Sequence, residues 1–321
     1  MNEVTHYFYV FIFLVSFVAL GVSSGVCARS FLKLSRVLWV NEYILSFILI
    51  GVITSLPELF VAIASIIINV PLISVGNIIG ANFITMTLVL GIVSVLSNGV
   101  ELSPQISKRV FWLSFLLALL PIVLIFKGGI SRIDGLILCA IFIVYLVVFS
   151  HDVKFLERSI PYLPYGADYL SDAYSSLINL LVGLPILVLS SLFIVFFGTS
   201  LVGFSPTNLI FFGTVFLGLL TTLPELFFGI RGAILNCQSL ALNNVLASVV
   251  FNGTVIIGLI SVISPITIRL STSSFLLEIV FMFVAFLLLS VFSYTGSRIS
   301  RLEGILLMSV YFLFLVSVLF V

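Results

Sequence analysis

The chain is poor in nearly everything that keeps a protein in water. Of its 321 residues only 8% are Asp, Glu, Lys or Arg, 62% are hydrophobic, and the mean hydropathy is +1.39. So little polar surface cannot cover a soluble domain. Cysteine is scarce as well: Cys27, Cys139 and Cys237 are far apart and form no Cys-x-x-Cys pair, which argues against both a disulfide framework and a thiolate metal site. With only His6 and His151, a zinc enzyme has too few ligands. A formal charge of +1 offers no basic face to nucleic acid. Met1-Asn2-Glu3 lacks the basic n-region of a cleavable signal, so the first apolar run is expected to stay as a helix.

What the chain has instead is long apolar runs. They reach about 20 residues or more, the length of a membrane-crossing helix and well beyond a barrel strand. An all-α integral membrane protein is predicted, because in lipid a helix satisfies its own backbone. Cutting at charges, prolines and small polar clusters gives about ten transmembrane spans, near 7–27, 43–68, 71–97, 110–126, 132–150, 177–203, 207–235, 239–263, 273–294 and 302–321. With the N-terminus outside, the inner loops hold Arg29, Lys33, Arg36, Lys108, Arg109, Lys154, Arg158, Arg231, Arg298 and Arg301, and the outer loops only Lys127, Arg132 and Arg269. That bias follows the positive-inside rule and places both termini outside a multi-pass protein, most simply in the cell (plasma) membrane.

The most hydrophilic connection, 151–176, divides the chain into 1–150 and 177–321, each with five expected spans. Five is odd, so the second half enters the membrane upside down. Two inverted five-helix repeats joined by a short cytoplasmic linker are expected, with a substrate site near the midplane where they meet. The linker is too short to fold as a further domain.

Two segments within these spans repeat. Thr54-Ser55-Leu56-Pro57-Glu58-Leu59-Phe60 and Thr221-Thr222-Leu223-Pro224-Glu225-Leu226-Phe227 stand 167 residues apart (225 − 58 = 167). Each sets a carboxylate beside a helix-breaking proline in hydrocarbon, where an ionised group costs several kcal/mol unless it meets a cation. No Lys or Arg falls near mid-depth in any expected span, so metal ions or protons are the remaining partners for Glu58 and Glu225. Pro57 and Pro224 donate no hydrogen bond, which frees the carbonyls of Ile53 and Leu220. Thr54 and Thr221 precede the glutamates by one turn, so hydroxyl, carbonyl and carboxylate oxygens converge on one face. Oxygen ligands without imidazole or thiolate favour Ca²⁺, Na⁺ or Mg²⁺, and an irregular flexible cage suits Ca²⁺. Two fixed negative charges balance one divalent ion, and an emptied site calls for Na⁺ or H⁺ in return.

A second pair of stretches keeps the same offset: Gly76-Asn77-Ile78-Ile79-Gly80-Ala81-Asn82-Phe83-Ile84-Thr85, and Asn243-Asn244-Val245-Leu246-Ala247-Ser248-Val249-Val250-Phe251-Asn252 (252 − 85 = 167). Asn77 and Asn244 read as braces that orient the ligands, while Thr85 and Asn252, nearer mid-depth, could supply oxygen. Glu278 lies within two turns of the outer end of the ninth expected span, where a long side chain can reach the interface. Gly21 and Gly25 form a Gly-x-x-x-Gly pair that would ease sliding and equally suits static packing.

The paired Thr/Ser-Ser/Thr-Leu-Pro-Glu motifs, each followed by a Gly-Asn-x-x-Gly-Ser/Ala-Asn-like stretch, resemble the cation/Ca²⁺ exchanger superfamily, most of all its prokaryotic sodium/calcium exchangers. The resemblance implies a diamond-shaped cluster of sites formed by the second, third, seventh and eighth helices, past which the first and sixth slide. It makes Glu58 and Glu225 shared carboxylate ligands, gives Thr54 and Thr221 backbone and hydroxyl oxygens, and puts Ser55 and Thr222 in support. The chain departs from the pattern at Ala81, which lacks the usual serine hydroxyl, whereas Ser248 keeps it. Thr85 and Asn252 leave the cluster without a third acid, and Asn243, Ala247 and Val249 replace the Gly and Asn of the second stretch. The expected activity is a secondary-active antiporter exchanging Ca²⁺ for Na⁺ by alternating access. Ca²⁺/H⁺ or other divalent/H⁺ exchange is the alternative, and a cation channel ranks below both. Such a protein is no enzyme and needs no cofactor; its partners are its cation substrates and the lipid bilayer.

Overall fold

The computed structural model describes residues 3–37, 50–101, 108–154, 169–235, 238–267, 273–295 and 298–319. The beginning of the second expected span, residues 155–168 of the hydrophilic connection, Cys237, Arg158 and Arg269 lie outside them. Seven helices are long and apolar enough to cross a membrane, and three shorter apolar ones, Leu56–Ile67, Arg109–Ile125 and Leu276–Phe292, fall within the second, fourth and ninth expected spans. The protein is therefore an all-α multi-pass membrane protein. Large apolar side chains such as Phe11, Val18, Leu136, Leu181 and Leu313 point outward, as a lipid-facing surface requires.

The elements run α1 (Glu3–Val37), α2 (Ile50–Thr54), α3 (Leu56–Ile67), α4 (Pro71–Ile84), a π-helical turn Thr85–Val89, α5 (Leu90–Leu96), β1 (Val100–Glu101), α6 (Lys108–Ile125), β2 (Gly129–Ile130) and α7 (Arg132–Lys154). The second half continues with α8 (Tyr169–Val202), α9 (Pro206–Phe211), a π turn Phe212–Leu217, α10 (Gly218–Thr221), α11 (Leu223–Ile234), α12 (Gln238–Phe251), a π turn Asn252–Ile256, α13 (Ile257–Ile263), β3 (Ile266–Thr267), α14 (Ser273–Thr295), β4 (Arg298–Ile299) and α15 (Arg301–Leu319).

Several boundaries have local causes. Ser131 and Asp134 form a reciprocal cap at the start of α7, the backbone N–H of each bonding the other's side chain at 3.0 and 3.2 Å. Ser300 and Glu303 do the same at α15. Each cap follows a two-residue strand. β1 pairs antiparallel with β4, and β2 with β3, so two short clips tie connections of the first half to connections of the second. Helix α1 lies along α8 in the most extensive helix pairing of the described residues, and touches the rest of the bundle far less.

The spans carrying the repeated motifs are not continuous helices. Both are interrupted one residue before the Leu-Pro-Glu triplet, at Ser55 (φ −84°, ψ 9°) and Thr222 (φ −78°, ψ −5°), and each proline sits in the first turn of the helix that follows. The breaks fall at the same repeat offset (222 − 55 = 167). The π turns were not anticipated, yet two of them also start at matched positions, Thr85 and Asn252. Thr87 and Thr254 inside them return their hydroxyls to carbonyls four residues back, a bond that perturbs the helical ladder.

Close helix contact comes from glycines other than the expected pair. A Cβ on Gly21 or Gly25 would meet nothing within 4 Å. A Cβ on Gly76 or Gly80 would instead strike the backbone carbonyl of Ile210 or Thr214, and one on Gly213 that of Ile73. The α4 span and the α9 to α10 span thus meet backbone to backbone. Gly80→Ala is expected to destabilise the detergent-solubilised protein by about 1–3 kcal/mol, read as a melting temperature several degrees lower. Gly25→Ala should leave the melting temperature where it is.

Candidate functional site

Glu58 and Glu225 come from opposite halves of the chain and meet in the interior, 0% and 1% exposed and within Coulombic reach of each other. No Lys or Arg is buried among the described residues, so no internal base neutralises them. Nor do three His, Cys, Asp or Glu side chains gather anywhere among those residues, so the charge of the centre is that of two carboxylates.

The neighbouring hydroxyls are held from across the interface. Thr54 donates to Oδ1 of Asn244 at 2.9 Å, and Thr221 donates to Oδ1 of Asn77 at 3.0 Å. Each contact joins one half to the other. Thr221 lies beside Glu58 and Thr54 beside Glu225, yet their hydrogens point to other acceptors: the asparagines and, for Thr54, also the carbonyl of Gly51 at 3.2 Å. Their lone pairs are thereby left to face the carboxylates. Neither oxygen of Glu58 receives a hydrogen bond, and neither does Oε2 of Glu225. Oxygen lone pairs confronting carboxylate oxygens in a buried space repel unless a positive charge lies between them.

The other oxygen of Glu225 is occupied. Ser248 donates to its Oε1 at 2.9 Å, Ser55 stands 2.8 Å from the Ser248 hydroxyl, and a longer approach of 3.5 Å runs from Ser55 to Oε1. Because Ser248 has given its hydrogen to the carboxylate, Ser55 is the donor between the two hydroxyls. On the Glu58 side Thr222 turns back to the carbonyl of Gly218, and Ala81, 0% exposed, has no hydroxyl to give.

Two further polar groups adjoin this centre. Helix α3, which carries Glu58, packs against the π turn begun by Asn252, and α11, which carries Glu225, packs against the π turn begun by Thr85. Thr85 Oγ1 and both amide atoms of Asn252 are buried without hydrogen-bond partners. π turns widen a helix locally and recur at functional sites.

The profile of the family described as sodium/calcium exchanger protein matches residues 8–150 and 175–320. The chain belongs to this family. Sodium/calcium exchanger MaX1 of Methanosarcina acetivorans is 24% identical over 346 aligned positions, covering 97% of this chain and 98% of the relative. Inner membrane protein YrbG of Escherichia coli is 22% identical over 243 positions, covering 72% and 73%. A solved structure of the sodium-calcium exchanger NCX_Mj, soaked with 2.5 mM Na⁺ and 10 mM Sr²⁺, superposes with a TM-score of 0.67 at 22% identity, over 97% of this chain and 99% of that one. This likeness is one of fold. A member of this exchanger family is a transporter of cations and no enzyme.

In this exchanger fold the residues chosen from the sequence fall into four groups. Glu58, Glu225, Thr54, Thr221, Ser55, Ser248, Asn77 and Asn244 share one contact network; Thr85 and Asn252 flank it through their π turns; Thr222 is directed away, and Pro57 and Pro224 shape the breaks. Asn82, quoted within its motif but given no role, donates across the halves to the carbonyl of Val249 at 3.3 Å and keeps its own Oδ1 unpartnered. Its counterpart at the repeat offset is Val249 itself (249 − 82 = 167), a break in the pattern that marked the position. Glu278 differs from expectation: it does not extend to the interface but is 3% exposed, with the Thr214 side chain beside it and Oε2 without a partner. Helix α14 packs against α4, α6, α9 and α15, and Glu278 lies on the face it buries.

The unequal support of the two glutamates has a thermodynamic signature. In ion-free detergent solution Glu58→Gln replaces a buried acid that has no donor and stands beside a second acid, and a gain of about 1–3 kcal/mol is expected as a higher melting temperature. Glu225→Gln weakens a charge-assisted bond from Ser248 and should gain less. Equal shifts in the two variants would contradict this description.

Proposed function

We propose that the chain is a secondary-active antiporter that exports Ca²⁺ in exchange for Na⁺ by alternating access, at a midplane site built on Glu58 and Glu225. One observation carries this most directly. The hydrogens of Thr54 and Thr221 are turned toward Asn244 and Asn77, so both oxygens of Glu58 and Oε2 of Glu225 are left without a donor. An array of that kind suits a dehydrated hard cation, and mixed carboxylate, hydroxyl and carbonyl oxygens in an irregular cage suit Ca²⁺ over Mg²⁺. Thr54, Thr221, Thr85 and Asn252 supply neutral oxygen in this scheme. Ser55, Thr222, Ser248, Asn77, Asn244 and the two prolines shape and steady the cage.

The helix breaks at Ser55 and Thr222 support a carrier over a channel, because discontinuous spans at mid-depth can hold an ion while the surroundings rearrange. The names of relatives support Na⁺ as the returning ion, since MaX1 is called a sodium/calcium exchanger. Return of three Na⁺ per Ca²⁺ would be electrogenic, with voltage contributing about 2.3 kcal/mol per net charge per 100 mV. Proton return is the alternative, favoured by the bare oxygens of Glu58 opposite Ala81; two protons per Ca²⁺ would move no net charge.

Two inverted repeats, 1–150 and 177–321, with a cytoplasmic linker at 151–176 and both termini outside the plasma membrane, complete the proposal. The strand clips are consistent with it. In that topology the connections holding β1 and β4 lie on the inner side, and those holding β2 and β3 on the outer side.

Flux in proteoliposomes tests the scheme. Ca²⁺ uptake should follow an outward Na⁺ gradient, and Glu58→Gln or Glu225→Gln should each reduce it by about two orders of magnitude. Uptake that ignores Na⁺ and follows a pH gradient would establish proton exchange instead. Absence of Ca²⁺ movement under either gradient would overturn the assignment.

A further inference from the structure

The matching motifs conceal an inequality between the two carboxylates. A relay runs from Ser55 to Ser248 to Oε1 of Glu225, with 2.8 and 2.9 Å between the successive oxygens. At the repeat offset, the hydroxyls that would form the same relay onto Glu58 belong to residues 222 and 81 (55 + 167 = 222; 248 − 167 = 81). Residue 81 is alanine, and Thr222 gives its hydrogen to the carbonyl of Gly218. Glu58 consequently keeps both oxygens uncommitted in a fully buried place, while Glu225 has only Oε2 free.

This bears on coordination. Calcium accepts carboxylates through one oxygen or two, and an oxygen already receiving a hydroxyl hydrogen has surrendered a lone pair and part of its charge. Resting on the divalent site proposed above, we infer that the ion is held unequally, by both oxygens of Glu58 and by Oε2 alone of Glu225, and that Ala81 is the residue that sets this inequality. Ala81 touches no ion in this scheme. It acts by what it fails to donate, and Ser248 acts as its opposite number.

Binding of radioactive Ca²⁺ to the purified full-length protein, in sodium-free buffer at fixed pH, separates the two sides without requiring transport. Glu58→Gln should weaken Ca²⁺ binding by about tenfold more than Glu225→Gln does. Ala81→Ser supplies the missing donor and should lower affinity by about three- to tenfold. Ser248→Ala only deletes an oxygen, so it remains usable even if the buried serine at position 81 prevents folding; it should raise affinity and enlarge the penalty of Glu225→Gln. In the combined Ala81→Ser/Ser248→Ala protein the ranking of the two Gln substitutions should invert. Equal penalties in the otherwise unaltered protein, or a ranking that neither Ser248→Ala nor the combined exchange changes, would overturn the inference while leaving the divalent site standing. If the unaltered protein shows no saturable Ca²⁺ binding, the site itself falls.

Discussion

Two carboxylates share a buried centre with no buried basic side chain among the described residues to answer them, and the architecture around them is intelligible from that constraint. Glu58 and Glu225 are brought together although every simple electrostatic consideration would keep them apart. What sets them there is backbone: a break at Ser55 and another at Thr222, each followed by a proline in the first turn of the next helix. The asparagines then take the threonine hydrogens, and Ser248 with Ser55 supports one carboxylate but not the other.

The interlocking of the halves explains why neither motif suffices alone. Thr54 is steadied by Asn244, Thr221 by Asn77, and Asn82 reaches the backbone at Val249. Each half holds hydroxyls of the other, so a single copy would lose the cross-half bonds to both asparagines, and Thr54 would keep only the carbonyl of Gly51 as an acceptor. The strand clips between β1 and β4 and between β2 and β3 bind the same two halves at their connections. Association between halves is thus built in near the acids and again at the peripheral loops.

Much of this was legible in the residues. Low charge and long apolar runs dictated membrane helices, and the repeated Leu-Pro-Glu triplets located both carboxylates and both breaks, because proline and a buried acid each leave an unmistakable local cost. The seven long apolar helices accord with the class of fold, while three further expected spans coincide with shorter apolar helices. Other features were hidden for identifiable reasons. π turns depend on where hydroxyls such as Thr87 and Thr254 return to the backbone, a competition that composition does not reveal. Position along a helix could not say that Glu278 faces inward, since burial there depends on neighbouring spans rather than distance from the helix end. Glycine spacing pointed at Gly21 and Gly25, whereas the tight seam uses Gly76, Gly80 and Gly213, whose partners lie far away in sequence.

That glycine seam has a mechanical consequence. Where two backbones touch directly, there are no rotamers to rearrange and no soft methyl groups to slide over one another, so the α4 span and the α9 to α10 span are constrained to travel as a single stiff keel. The flank between α1 and α8 and the remaining helices is different: apolar side chains such as Leu20, Leu187 and Ile194 meet Ile53, Val61 and Ile73 there, and dispersion contacts of this kind can be exchanged for equivalent ones after a small translation. Compliance in this molecule is therefore concentrated along the flank of α1 and α8, and stiffness at the backbone seam of Gly76, Gly80 and Gly213.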